Sequence, residues 1–390
     1  MTSLTRNKKY SKHVKTRKLK FIKNIILPNL TPEDINEVSE VIFQETLKSP
    51  LDNSVVPSYS PSINKELVTL KSISREQVIN CNNEKAFELK EPLQIGISEK
   101  IFGKNCVPYY DPKAVKFLLK NLSANKHIKI DKIIPPIQSQ SNCWFNTMFV
   151  TLFISDKGRK FFHFFRQLMI EGIQADGSSI PLKLRNGFAL LNYAIECCLT
   201  GNKYAYILNT NAIIHNIYTN IPQSYKNKLP YITNIDEAGN PIRYYDSLIY
   251  YLNNKSIQLA FIKNTNDKWK DDILNQLQIQ NQIPHIIILE FYDEESKKTT
   301  NKQQTFIVKG SKYILDSIII RDTSQQHFSA TLTCDGKEIG YDGMSFHRIV
   351  PFNWKKYINS NFVWEFLGTQ ANLKWNFTHG YQMLIYYRVK

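Results

Sequence analysis

A chain of 390 residues with 42% hydrophobic content can bury a sizeable core, as one large or two moderate domains. It has no apolar run long enough for a transmembrane helix, and its first residues lack the apolar centre of a secretory leader. The net charge of +16 is uneven: residues 1–24 hold nine Lys and Arg, the first acid is Glu33, and the rest of the chain carries only +7.

The basic arm, 1–24, reads as a solvated, disordered tail or as a contact for nucleic acid or another polyanion through counterion release. Thr31-Pro32-Glu33-Asp34 then combines an N-cap, a proline at the first helical position and two first-turn acids, predicting a helix over 32–48. Pro50, Pro57 and Pro61 among Ser and Asn make 49–64 a linker or wandering loop. Residues 65–107 show no strong period. Asp111-Pro112 opens a helix to about residue 122, with Val115, Leu118, Leu119 and Leu122 among the apolar residues of one face. IKIDKII, 128–134, suits a short strand before Pro135-Pro136.

From Cys143 to about Leu199 the pattern is helical in three runs: FNTMFVTLFI, GRKFFHFFRQLMIEG and LRNGFALLNYAIECCL. The phenylalanines of the second run read as packing, with His163 structural among them. Shorter helices fit 212–218 and 245–252. Near residue 257 the character changes. IQLAFI, HIIILEFY, QQTFIVK, KYILDSIIIR, HFSATLTC, FHRIVPF and YQMLIYYRV are short β-branched and aromatic runs, separated by turn-formers such as Asp335-Gly336 and Asp342-Gly343. One helix, WKDDILNQLQ, interrupts them. Helices first and a mostly antiparallel sheet afterwards define an α+β chain.

Six cysteines show no framework spacing and no Cys-x-x-Cys pair, which points to free thiols in a reducing intracellular compartment, cytoplasmic or nuclear, and away from a cysteine-based zinc site. The eight histidines show no ligand spacing, so neither metal nor cofactor is expected.

The chemistry centres on QSQSNCWFNTMFVTLF, 138–153, which puts Cys143 at the head of an apolar helix. A thiolate there meets the positive end of the helix dipole and becomes a nucleophile; the alternative is an inert thiol capping a core helix. Acyl transfer further needs a base, a group orienting it and donors for the oxyanion. Gln138, Gln140 or Asn142 can supply an amide N–H beside the backbone N–H of Cys143, and Asn142 equally suits a cap. Three histidines of the sheet half are candidate bases: His327 at the mouth of a strand, then His347 and His379. Order and spacing favour His327, with Asp342, fifteen residues later, as the acceptor for its imidazole.

QSNCWFNTMF, KYILDSIIIRD, HFSATLTCDGKEIGYDG and YQMLIYYRV together resemble the ubiquitin-specific proteases, papain-like cysteine peptidases. That family's cysteine box is Asn-x-Gly-x-Thr-Cys-Tyr-x-Asn-Ser; Cys143 matches the nucleophile, Trp144 the aromatic and Asn146 the later asparagine. Gln138 stands where the family has its oxyanion asparagine. Tyr313 and Leu315 match the strand before the family's histidine, His327 the base, Phe328 and Ala330 the residues after it, and Asp342 the orienting acid. The resemblance implies a papain-like fold over 131–390, with a helical, thumb-like part at 143–255 and a palm-like antiparallel sheet at 256–390. Without Cys-x-x-Cys pairs, the zinc-stabilised fingers are expected to be reduced or absent. Residues 25–130 then form a partly helical N-terminal extension. The implied activity is hydrolysis of the peptide or isopeptide bond after the C-terminus of ubiquitin or a ubiquitin-like protein. A papain-like protease acting on a polyprotein and a catalytically silent binding protein of this fold remain the alternatives.

Overall fold

A computed structural model describes residues 79–81, 91–99, 103–123, 128–138, 140–226, 240–253, 258–281, 283–292, 300–322, 327–367 and 373–389. The basic arm, the helix expected at 32–48 and the linker at 49–64 lie outside these residues. The described chain is a mixed α/β structure. Among its residues no helix is long and apolar enough to cross a membrane.

The first described elements are three short antiparallel strands, β1 (Ile79–Asn80), β2 (Gln94–Glu99) and β3 (Gly103–Pro108), followed by α1 (Pro112–Ser123). The strands fall in and at the edge of the stretch without a clear period, where long-range pairing rather than local pattern sets the conformation, whereas α1 is the helix expected from Asp111-Pro112. A disulfide joins Cys81 to Cys106, leaving Cys143, Cys197, Cys198 and Cys334 free among the described residues. The expectation of six thiols is corrected for this pair, because sheet pairing brings together two cysteines 25 residues apart. The inference of a reducing compartment loses that support.

IKIDKII is not a strand: Ile130–Lys132 forms a single 3-10 turn. Next comes α2 (Cys143–Phe153), then α3 (Asp156–Phe161) and α4 (His163–Glu171). The single helix read across GRKFFHFFRQLMIEG is therefore two helices broken at Phe162, whose φ of −85° and ψ of 11° leave the helical basin. The helical part continues with α5 (Leu182–Thr200), α6 (Thr210–Asn220), α7 (Gln223–Lys226) and α8 (Pro241–Asn253). Every residue of α2 is buried, as a sequence apolar on all sides requires, and the helix runs between the sheet and α8.

The sheet begins with β4 (Leu259–Thr265), α9 (Trp269–Gln280) and β5 (Ile286–Phe291), whose strands pair in parallel across the helical crossover. The remaining strands of the large sheet are antiparallel: β6 (Thr305–Val308), β7 (Ser311–Arg321), β8 (Phe328–Cys334), β9 (Lys337–Tyr341), β10 (Ile349–Pro351) and, after the small ribbon β11 (Val363–Trp364) and β12 (Trp375–Asn376), β13 (Gln382–Val389). The order is β10-β9-β8-β7-β13-β5-β4, with β6 folded against β7.

Both faces of this sheet are covered. Met383, Ile385 and Tyr387 of β13 face the helical core, whereas Leu384 and Tyr386 face a second core around Trp269, Phe306 and Trp375. The period of two in the side chains thus serves two cores at once. Leu93, Ile95, Tyr109 and Leu122, from the stretch before α2, pack into the same core as the helices.

Candidate active site

The segment leading into α2 is stitched to the β9–β10 hairpin. Tyr341 donates its hydroxyl to the carbonyl of Pro136 at 2.8 Å, and the N–H of Gln138 reaches the carbonyl of Gly343 at 2.9 Å. Gly343 has no spare room: a Cβ there would stand 3.0 Å from the Tyr341 hydroxyl and 3.1 Å from the Gln138 nitrogen. Inside α2, Asn146 donates back to the carbonyl of Ile137 at 3.3 Å. These bonds fix Cys143, the first residue of α2, relative to the end of β9. First-turn N–H groups of a helix have no intrahelical acceptor, so the thiol stands at an electropositive helix end.

Asn142 does not cap the helix. Its amide nitrogen donates to the Thr210 hydroxyl of α6 at 2.7 Å, and its side chain makes no cap hydrogen bond. Gln140 is also turned away, with its Oε1 accepting from Asn211 at 2.6 Å. Gln138 differs from both: its Oε1 is buried without a hydrogen-bond partner among the described residues.

His327 directly precedes β8, and Asp342 directly follows β9. The antiparallel register of these strands sets Ala330 opposite Tyr341, which carries the two side chains to the same end of the sheet. His327 Nε2 lies 2.7 Å from Asp342 Oδ1, and that oxygen also accepts the N–H of Met344 at 3.0 Å. The Cys143 thiol is a further electrostatic neighbour of the imidazole. Cys143, His327 and Asp342 are 7%, 6% and 0% exposed, so water hardly screens their interaction. Burial by itself lowers the pKa of His327, but its bond to Asp342 and its electrostatic interaction with Asp342 and Cys143 outweigh this and raise it to about 9. The structure therefore sets a positive imidazolium between a sulfur and a carboxylate.

Of the other histidines, His347 is exposed in the loop after Asp342 and His379 lies in the turn before β13. His163 meets the carbonyl of Leu122 at 3.0 Å, the packing role expected of it. Two neighbours of His327 carry no sequence signal. Trp375 sets its indole edge-on to the imidazole, with centroids 5.9 Å apart. Asp322 accepts the backbone N–H of His327 at 2.6 Å. Both meet His327 only through strand pairing and loop closure, which composition and spacing do not encode.

No protein-family model and no curated protein matches the chain. Among solved structures it is similar to a SAGA DUB module of Ubp8, Sgf11, Sus1 and Sgf73 bound to monoubiquitin, with 9% identity, a TM-score of 0.44 and coverage of 92% of this chain and 96% of that one. It is also similar to the same module bound to ubiquitin aldehyde, with 9% identity, a TM-score of 0.39 and coverage of 91% and 95%. An essential yeast splicing factor matches with 9% identity, a TM-score of 0.35 and coverage of 76% and 84%. These likenesses are remote.

Proposed function

We propose that the chain is a thiol-dependent hydrolase of the papain-like, ubiquitin-specific protease type, with Cys143, His327, Asp342 and Gln138 as its site. The observation that supports this most is the buried His327–Asp342 pair, with the Cys143 thiol as the imidazole's electrostatic neighbour. In this reading the thiol proton resides on His327, and Cys143 attacks the carbonyl carbon of the scissile bond as the thiolate. His327 then protonates the leaving amine, and a thioester remains on Cys143. The same imidazole next takes a proton from water, which hydrolyses the thioester and frees the thiol. Asp342 keeps the ring oriented. The oxyanion is met by the first-turn N–H of Cys143 and by the amide N–H of Gln138, whose main chain is tied to Gly343. The peptidase domain spans 131–390 in this reading, with 25–130 as an extension before it.

The substrate is proposed to be ubiquitin or a ubiquitin-like protein, cleaved after its C-terminus. A ubiquitin probe carrying a C-terminal electrophile tests this. Wild type is expected to form a covalent adduct at Cys143, lost in Cys143→Ala and reduced at least a hundredfold in His327→Gln, the usual contribution of a positioned base being about 10² to 10⁴. Absence of labelling by folded wild type removes ubiquitin. Labelling by probes of other modifiers or by peptide electrophiles then identifies a different substrate, and failure of all of them leaves a non-catalytic binding protein.

A further inference from the structure

The pairing of β7 with β8 ends at Arg321 opposite Phe328. One step further, Asp322 and His327 face each other, and the ladder continues in altered form. The N–H of Asp322 donates to the carbonyl of His327 at 2.8 Å, as an antiparallel pair would have it. The return bond goes elsewhere: the N–H of His327 donates to the Asp322 carboxylate, at 2.6 Å, in place of a backbone carbonyl. Both residues are buried, Asp322 at 2% exposure. The platform under Asp322 is itself fixed, because the N–H of Arg321 donates to the carbonyl of Tyr381 at 2.8 Å. Gly380, at a φ of +83°, lets that crossing occur, since a Cβ on it would come within 2.7 Å of the Arg321 oxygen.

From this geometry we infer that Asp322 is a positioning residue for the reaction: its carboxylate fixes the main chain of His327 and so sets where the imidazole stands between Cys143 and Asp342. The inference rests on the proposed thiol chemistry. Asp342 holds the ring from its far nitrogen, and Asp322 holds the backbone from which the ring projects. With both ends tied, the imidazole keeps one orientation, and a misplacement of about 1 Å in such an arrangement is enough to cost on the order of a hundredfold in rate. The role depends on an acceptor oxygen at a given place. A negative charge close by does not fulfil it.

Asparagine and glutamate separate these two properties. Asp322→Asn keeps an acceptor Oδ1 at the same reach and removes the charge; Asp322→Glu keeps the charge and displaces the acceptor by a methylene. The reading is the rate at which iodoacetamide alkylates Cys143, mapped by mass spectrometry, in wild type, His327→Gln and the two variants, alongside melting curves. Asp322→Asn is expected to react within about twofold of wild type and Asp322→Glu about tenfold more slowly. If Asp322→Glu does not fold, Asp322→Ser, whose acceptor oxygen sits one bond nearer the main chain and adds no volume, takes its place with the same expectation. A Glu or Ser variant as fast as wild type overturns the inference, as does an Asn variant as slow as they are. Equal rates for wild type and His327→Gln defeat the thiol chemistry itself, and the role of Asp322 falls with it. Dependence on His327 without dependence on Asp322 defeats the role of Asp322 alone.

Discussion

At the scale of single residues, the site is a problem of stacked electrostatics. Asp342 is fully buried and accepts from two donors, and His327 is held protonated well above the pH at which free histidine loses its charge. The sign of the consequence for stability follows from linkage. A histidine whose pKa rises from 6.5 to about 9 on folding stabilises the folded state fully below pH 6.5, and this contribution is lost as pH rises through about 9. Wild type is therefore expected to lose on the order of 3 kcal/mol across that window, and His327→Gln to lose much less. Melting temperatures of both proteins, taken at intervals across it, check this; parallel curves would show that the charge of His327 does not contribute.

Among the elements, α2 has the largest demand placed on it, because it is both core and carrier of the thiol. Its sequence is apolar on every side, and all eleven residues are buried. Phe149 stands at its centre between Phe145 and Phe153, with centroids 6.4 and 5.6 Å away. Phe149→Ala is expected to destabilise the fold by about 3–5 kcal/mol through lost burial and the cavity left behind. Urea unfolding should show a lower midpoint with an unchanged slope; a midpoint close to that of wild type would mean that α2 can close around the gap. The same helix shows where local pattern is overruled. Asn142 has the composition of a cap, yet its amide bonds Thr210 on another helix, a tertiary partner 68 residues away. Likewise GRKFFHFFRQLMIEG has the pattern of one helix but breaks at Phe162, with α3 packing on β7 and α4 on α1, α5 and α8.

Across the whole molecule, the N-terminal strands and α1 share the core of the helical part, and the Cys81–Cys106 disulfide ties β3 to the segment after β1. A cross-link closing a loop of this length contributes about 3 kcal/mol by restricting the unfolded chain. Cys81→Ser with Cys106→Ser, or reduction of the native protein, is expected to lower the melting temperature by several degrees. Because the bridge joins β3 to the residue after β1 while the site is built on α2, β8 and β9, the alkylation rate of Cys143 should not change. A change in that rate would reveal coupling between the extension and the site.

The sequence by itself determined the α+β order, the long helices and strands, and the identity of the candidate nucleophile, base and acid. Periodicity and turn residues act locally, and their effect on the backbone survives in the fold: 212–218 and 245–252 lie within α6 and α8, and HFSATLTC within β8 and the residue before it. The tertiary structure decided everything that depends on two distant segments meeting. Register between β8 and β9 put Asp342 on His327, loop stitching by Tyr341 and Gly343 tied the main chain before α2 to the end of β9, and sheet pairing formed a disulfide between cysteines without framework spacing. Cys143 could be marked as a nucleophile from the helix it heads, but it comes near His327 only because α2 packs against the strand that follows that histidine.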